Sequence, residues 1–339
     1  NLAATDREAR IDASNELVST LLQQSSDIGL VDDTKLMESP LSEQVTDDEM
    51  AGAEQRIDDA NTQDVSYAIR RLVRGLASPR ENARIGFAVA LSGLLSHLKT
   101  VSANDVLVLL LKYSVVRGNM NGQEVRDLQF ARLFGIYALV RSRLLYRASL
   151  STFQRAFHIL VQVASYKSWL SEPCGWVLTE LVEPLARNDP DRPSWADDAL
   201  GWIADQLSSH RSLSPETLAL ALQLTHMDPT IKLGERMIPP FKTPNFLASA
   251  NLPVLASVLR EAAPMHWQPD TPVPKAGSWS TKLPFVWDKL LNLYLNDKIP
   301  EGVAPFADFF RVVVDESLFA PQASPERKSW GFQVLHRTL

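Results

Sequence analysis

A single cysteine, Cys174, occurs in the 339 residues, so an intramolecular disulfide is excluded and a reducing compartment is expected. Long apolar runs are also missing. The most hydrophobic stretch, VLVLLLKYSVV at 106–116, is too short to cross a bilayer and is interrupted by Lys112. The phosphate-binding Gly-x-x-x-x-Gly-Lys-Ser/Thr loop, His-Glu-x-x-His, Gly-x-Ser-x-Gly and Cys-x-x-Cys are absent as well. The six histidines (97, 158, 210, 226, 266 and 336) are scattered without the spacing of metal ligands. No cofactor and no metal are therefore expected. Cys174, beside Trp176 and Val177, reads as a packed thiol rather than a nucleophile, because nothing near it in sequence would depress its pKa. Asp189 and Asp191 have an Asp-x-Asp spacing that could serve a metal, but Pro190 and Pro193 make this a turn whose Asp caps the next helix. Hairpin signatures are lacking too, since Asn121-Gly122 falls between two helical patterns.

What is present is helical. In SPRENARIGFAVALSGLL (78–95), Ser78, Pro79 and Glu81 spell a helix start with a capping box. Ala83, Phe87, Leu91, Leu94 and Leu95 then form one apolar face, and Ile85, Val89 and Ser92 a flanking stripe. Similar phrases start at Ala9-Arg10-Ile11 and Ala131-Arg132-Leu133, and each of the three runs to a Leu-Leu pair. The 48 residues from Arg84 to Arg132 lie near the roughly 40–47 of HEAT and armadillo repeats. Helices are expected over 6–25, 64–77, 79–98, 102–118, 123–146, 150–168, 172–187, 194–209, 214–227, 250–263, 283–297, 303–318 and 324–339. The fold expected is all-α, a HEAT/armadillo-like α-solenoid of helical-pair repeats. In a solenoid each repeat packs only on its neighbours, which suits a chain larger than one usual compact domain.

Charge is unevenly spread. Residues 27–64 hold twelve Asp or Glu against Lys35 and Arg56, a net of −10, whereas 67–147 hold thirteen Lys or Arg against four acids, a net of +9. The expected organisation is a first repeat helix at 1–26, an acidic disordered insertion at 27–64, and helical repeats at 65–238 containing the basic block 67–147. A proline-rich irregular crossing at 239–284, with nine prolines, and further repeats at 285–339 complete it. Because the sequence begins with Asn1 and stops inside an apparent helix, a piece of a longer protein is expected.

Arg10, Arg84 and Arg132 share one place in the repeated phrase, so a buried polar ladder between stacked repeats is expected of them. In YAIRRLVRGL, the stripe of Ile69, Leu72, Val73 and Leu76 turns Arg70, Arg71 and Arg74 outward, and Arg141, Arg143 and Arg147 add charge at the end of another helix. These six are the candidates for phosphate contact. Holding the acidic segment or solubilising a helix face are the alternatives.

The runs YAIRRLVRGLASPRENARIGFAVALSGLL, FARLFGIYALVRSRLL, LPFVWDKLL and FADFFRVVVDESLFAPQASPERKSWGFQVLHRTL together resemble the N-terminal half of the Myb-binding protein / DNA polymerase phi family of nucleolar proteins. The resemblance implies a HEAT-like solenoid in the nucleolus that acts on ribosomal DNA, rRNA transcription and large-subunit assembly. It implies as partners ribosomal DNA or precursor rRNA, with preribosomal or transcription proteins. The family name asserts a polymerase, but template-directed synthesis needs carboxylates converging on two metals, and no such constellation is visible. A non-enzymatic scaffold is expected. A transport receptor or a pure protein-interaction solenoid is the alternative.

Overall fold

The computed structural model describes residues 1–24, 44–209, 213–228, 230–237, 241–261, 282–295 and 301–339. Regular structure among the described residues is entirely helical. The chain divides into two compact units, Asn1–Val163 with Pro190–Trp195, and Ala164–Asp189 with Ala196–Leu339.

The first unit contains α1 (Arg7–Gln24), α2 (Asp47–Ala60), α3 (Gln63–Gly75), α4 (Glu81–His97), α5 (Ala103–Tyr113), α6 (Gly122–Arg141) and most of α7 (Leu150–Tyr166). Helices α1, α4 and α6, which carry the repeated Ala-Arg-apolar phrases, are neighbours in that order, while α5 packs on α2, α3 and α6. Local chemistry sets most of the ends. Thr62 caps α3, Ser102 caps α5, and Asn121 with Glu124 forms a capping box on α6. The expected stripe of α3 is buried, Ile69, Leu72, Val73 and Leu76 all being within the core. Gly135 lets α6 approach α5 closely, because a Cβ there would lie 2.5 Å from the Leu110 side chain. Pro190–Trp195 joins this unit through Trp195, whose indole N–H donates to the Ala148 carbonyl at 2.8 Å and whose ring lies 5.0 Å from Phe153.

The second unit contains α8 (Ser168–Val182), α9 (Ala196–Ser208), α10 (Pro215–Met227), α11 (Leu252–Glu261), α12 (Val286–Leu295), α13 (Phe306–Phe309) and α14 (Pro325–Thr338). Helix α10 packs on α8, α9 and α12. The Ser-Pro signals act as expected here, Ser214 capping α10 with Thr217 and Ser324 capping α14. Within the proline-rich crossing, residues 239–240 and 262–281 lie outside the described residues. Its described part is pinned by Asn251, a fully buried amide. Its Nδ2 donates to the Thr243 and Asn245 carbonyls, at 3.0 and 2.6 Å, and its Oδ1 accepts from the Lys242 N–H at 2.7 Å.

Several expectations are corrected. Of the insertion expected to be disordered at 27–64, residues 27–43 lie outside the described residues, but the rest is helix α2 and the start of α3. Composition alone misleads here, because α2 has a capped start and buries an apolar stripe against the rest of the unit. The Thr46 hydroxyl accepts from the Glu49 N–H, three acids in the first turn suit the positive end of the helix dipole, and Ala53 and Ile57 are 0% and 1% exposed. Burying Ile57 contributes about 2 kcal/mol, more than a typical surface ion pair. Truncating the cap by Thr46→Ala should weaken α2 by about 1 kcal/mol. Hydrogen exchange of the α2 amides should then speed up roughly fivefold while α5 is unaffected; parent amides already exchanging at random-coil rates would contradict a docked α2.

Helix α4 starts at Glu81, with Arg80 rather than Ser78 as its cap and no side-chain capping bond. The Ser78 hydroxyl instead accepts from Arg80 N–H, and its carbonyl is taken by the Arg84 guanidinium. Val89, expected on a flanking apolar stripe, is 42% exposed. The helix expected over 123–146 breaks at Ser142, whose hydroxyl donates to Leu139 C=O and accepts from Leu144 N–H. Arg143 then takes a left-handed conformation, φ 61°, and a 3₁₀ turn follows over Leu144–Arg147. The helix expected over 303–318 is α13 continuing as a π-helical stretch, Phe310–Asp315.

Candidate nucleic-acid interface

Helix α3 carries the first candidate group, and the acidic helix α2 changes its character. Arg70 is half-buried and donates from Nη1 to Asp58 Oδ1 of α2 at 2.7 Å. Arg74 lies over the Tyr113 ring, 4.4 Å from its centroid, and donates to the phenol oxygen at 3.1 Å. Tyr113 in turn donates to Glu54 of α2 at 3.3 Å, and Lys112 Nζ reaches the same carboxylate at 2.7 Å. The Lys112 hydrogen bond holds the Glu54 carboxyl below its usual range against the opposing effect of burial. Arg71 is exposed and forms no ion pair among the described residues.

Two further pairs fix α2. Arg155, whose side chain is 0% exposed, donates from Nη1 to Glu49 at 2.6 Å. Arg56, the lone cation of α2, donates from Nε to both Asp105 oxygens at 3.0 and 3.1 Å. Burial raises the Asp105 pKa even so, outweighing the Arg56 hydrogen bonds that lower it. The acidic segment is thus a partner of the basic block, and it neutralises Arg70 while leaving Arg71 available.

The second group sits where α6 ends. Arg141 is its last residue, Arg143 occupies the left-handed turn with its guanidinium 5.8 Å from the Tyr146 ring centroid, and Arg147 closes the 3₁₀ turn. Arg141 and Arg147 are exposed. The two groups ride on separate helices, each of which packs on α4 and α5.

The repeat arginines all turn back onto carbonyls of preceding segments. Arg10 Nη1 reaches the Ala4 and Thr5 carbonyls at 2.7 and 2.8 Å, and Arg84 Nη1 the Ser78 carbonyl at 2.7 Å, both six residues back in the case of Ala4 and Ser78. Each is the fourth residue of its helix, α1 and α4. Arg132 differs, lying in the middle of α6 and binding Ser114 Oγ and C=O at the end of α5. Arg84 is also 3.2 Å from Asp127 and stacked 4.7 Å from the Phe130 centroid.

Cys174 is fully buried, and burial together with the nearby Glu216 pushes its thiol pKa up. Asp189 and Asp191 lie in the turn before α9. Among the described residues no group of three or more His, Cys, Asp or Glu is placed to hold a metal ion, and no helix is long and apolar enough to cross a membrane. Sequence reasoning passed over Tyr67 and Tyr113. Tyr67 was legible, since it precedes Arg71 and Arg74 by four and seven residues and so shares their helix face.

Comparison with known proteins adds the family. The rDNA transcriptional regulator pol5 of Schizosaccharomyces pombe is 35% identical over 294 residues, 86% of this chain and 30% of the relative. The rDNA transcriptional regulator POL5 of Saccharomyces cerevisiae is 28% identical over 326 residues, 80% of this chain and 31% of the relative. Myb-binding protein 1A of Homo sapiens is 26% identical over 264 residues, 77% of this chain and 18% of the relative. The chain therefore spans less than a third of the length of each. No solved structure matches it. Both yeast relatives are named as transcriptional regulators, although the family carries a polymerase's name. The model of that family, DNA polymerase phi, matches residues 67–339, and the chain belongs to it.

Proposed function

We propose that the chain is a non-enzymatic nucleolar scaffold of ribosome biogenesis, which binds ribosomal DNA or precursor rRNA together with preribosomal or transcription proteins. The observation that carries this reading is the set of exposed arginines on the first unit, Arg71 and Arg74 on α3 with Arg141 and Arg147 at the end of α6. They belong to a chain whose yeast relatives are named for ribosomal DNA. Those names also support a place in the nucleus and regulation rather than polymerisation. A HEAT- or armadillo-like solenoid is supported by the succession of α1, α4 and α6 and by the packing of consecutive helices, α3 on α4 and α5 on α6. A protein-binding solenoid of transport type is the second reading, favoured by the exposed Asp47, Asp48 and Asp59 of α2.

The test is replacement of Arg71, Arg74, Arg141 and Arg147 by glutamine. Each lost phosphate contact should lower the slope of log affinity against log salt by about 0.7 to 0.9. Helicity and thermal unfolding should barely change, since exposed substitutions cost little. Arg70→Gln, by contrast, should leave the slope alone and loosen α2, because its charge is already met by Asp58. An unchanged slope in the folded fourfold variant would overturn direct phosphate contact and leave the protein-binding reading.

A further inference from the structure

A cleft of about 320 Å³ opens beside the arginines of α3. It is lined by Leu17 and Thr20 of α1, by Asp64, Tyr67 and Arg71 of α3, and by Phe87 of α4. Asp64, Tyr67 and Arg71 follow one another at three and four residues, so a single helix face presents an acceptor, a ring and a cation in line. The Phe87 ring is seated directly against the α3 backbone at Gly75, where a Cβ would come within 2.5 Å of it. Tyr67 is 65% exposed, a large ring to leave in water on a cleft that Arg71 also lines.

We infer that this cleft takes an unpaired nucleobase, so that the nucleic acid bound at α3 is single-stranded. This rests on the reading of α3 as a nucleic-acid interface and names its ligand more narrowly. A base held in a duplex keeps both faces stacked and its pairing edge occupied, so it cannot enter a cleft between two helices. A base of a single strand has both free. The volume stands at the lower end of small-molecule sites, suited to one base rather than to a peptide helix or a duplex edge. Tyr67 supplies the stacking face, Phe87 and Leu17 the apolar walls, and Asp64 an acceptor for a base N–H, with the Thr20 hydroxyl able to donate or accept. Arg71 and Arg74, one and two turns beyond Tyr67, lie where the phosphates flanking that base would run. Asp64, at the other end of the face, repels phosphate and so keeps the backbone on the Arg71 side.

The experiment compares the full chain and its Tyr67→Ala, Tyr67→Phe and Arg71→Gln/Arg74→Gln variants, each verified as folded by circular dichroism. The probes are a twelve-nucleotide unstructured oligoribonucleotide carrying 2-aminopurine, the corresponding oligodeoxyribonucleotide and the matching duplex. Tyr67→Ala should weaken binding of a single strand roughly 5- to 150-fold, the range for one stacked base, and abolish quenching of the 2-aminopurine. Duplex binding should be unaffected, and Tyr67→Phe should behave as the parent. Comparison of the ribose and deoxyribose strands tells whether RNA or melted DNA is the source of the base. If Tyr67→Ala leaves single-strand affinity unchanged while the arginine variant still flattens the salt dependence, the base cleft is overturned and the interface stands. Equal weakening of single strand and duplex by Tyr67→Ala overturns the unpaired-base assignment. If neither variant changes binding, the interface itself falls, and the cleft with it.

Discussion

Replacing Asp127 by alanine is expected to lower the stability of the first unit by about 3–5 kcal/mol, measured by urea unfolding. Arg84 and Asp127 are buried together, with side-chain exposures of 5% and 8%, and the pair spans helices α4 and α6. Burial pulls the Arg84 pKa down and Asp127 opposes that, so removing the carboxylate leaves a guanidinium that can neither lose its proton readily nor reach water. Its Nη1 would keep the Ser78 carbonyl, and Phe130 would still cover one face. Neither supplies a counter-charge. Asp127 also accepts from Gln123 Nε2 at 3.2 Å and lies 3.7 Å from Arg126, so its loss disturbs more than one donor. The double variant Arg84→Met with Asp127→Leu should recover most of the loss, because apolar residues of similar volume carry no charge to strand. A loss below about 1 kcal/mol on Asp127→Ala would instead class the pair with surface salt bridges.

Glutamine at position 216 is expected to make the second unit more stable at pH 8 and indistinguishable from the parent near pH 4.5. Glu216 is nearly fully buried on α10, and its Oε2 has no hydrogen-bond partner among the described residues. Gly175 of α8 faces the stem of this side chain so closely that a Cβ there would stand 2.5 Å from the Glu216 Cβ. Burial therefore pushes the carboxyl pKa from 4.5 to about 7, with the Ser214 hydrogen bond opposing and the Glu172 charge adding to the rise. A carboxyl raised in the folded state favours folding while protonated, below about 4.5. That advantage is lost as pH rises from there through 7, because the unfolded chain ionises freely and the folded one does not. The full cost above pH 7 is about 3 kcal/mol, and Glu216→Gln removes the ionisation while keeping the shape. Unfolding midpoints in urea for the two proteins, plotted against pH, should diverge between 4.5 and 7. Parallel curves would show that the carboxyl ionises in the fold without penalty.

Much of the architecture was legible because it rests on contacts within a turn or two of the chain. The helix starting at Pro215 follows from Ser214 and Thr217, and the burial of α3 from the spacing of Ile69, Leu72, Val73 and Leu76. The return of Arg10 and Arg84 to carbonyls six residues back is equally local, although the repeated phrase suggested a ladder between repeats instead. Where a side chain competes locally with the helix the pattern misleads, as at Ser142, whose two hydroxyl hydrogen bonds end a periodicity that otherwise runs on to residue 146. The acidic helix α2 failed for the opposite reason. Its partners lie 12 residues away at Arg70, 58 at Lys112 and 106 at Arg155, and no window along the chain contains them.

By itself the sequence determined the all-helical class, the places of most helices and the family, because periodicity, capping residues and motif strings are properties of neighbouring positions. Only the tertiary structure decided which arginines are spent on carboxylates and which face outward. It also decided that acid-rich α2 is docked, and that Tyr67, Arg71 and Phe87 border one cleft. The reason is physical: a charge is compensated, and a cleft closed, by groups brought near through the packing of α1, α3, α4 and α5, and that proximity is a property of the folded chain alone.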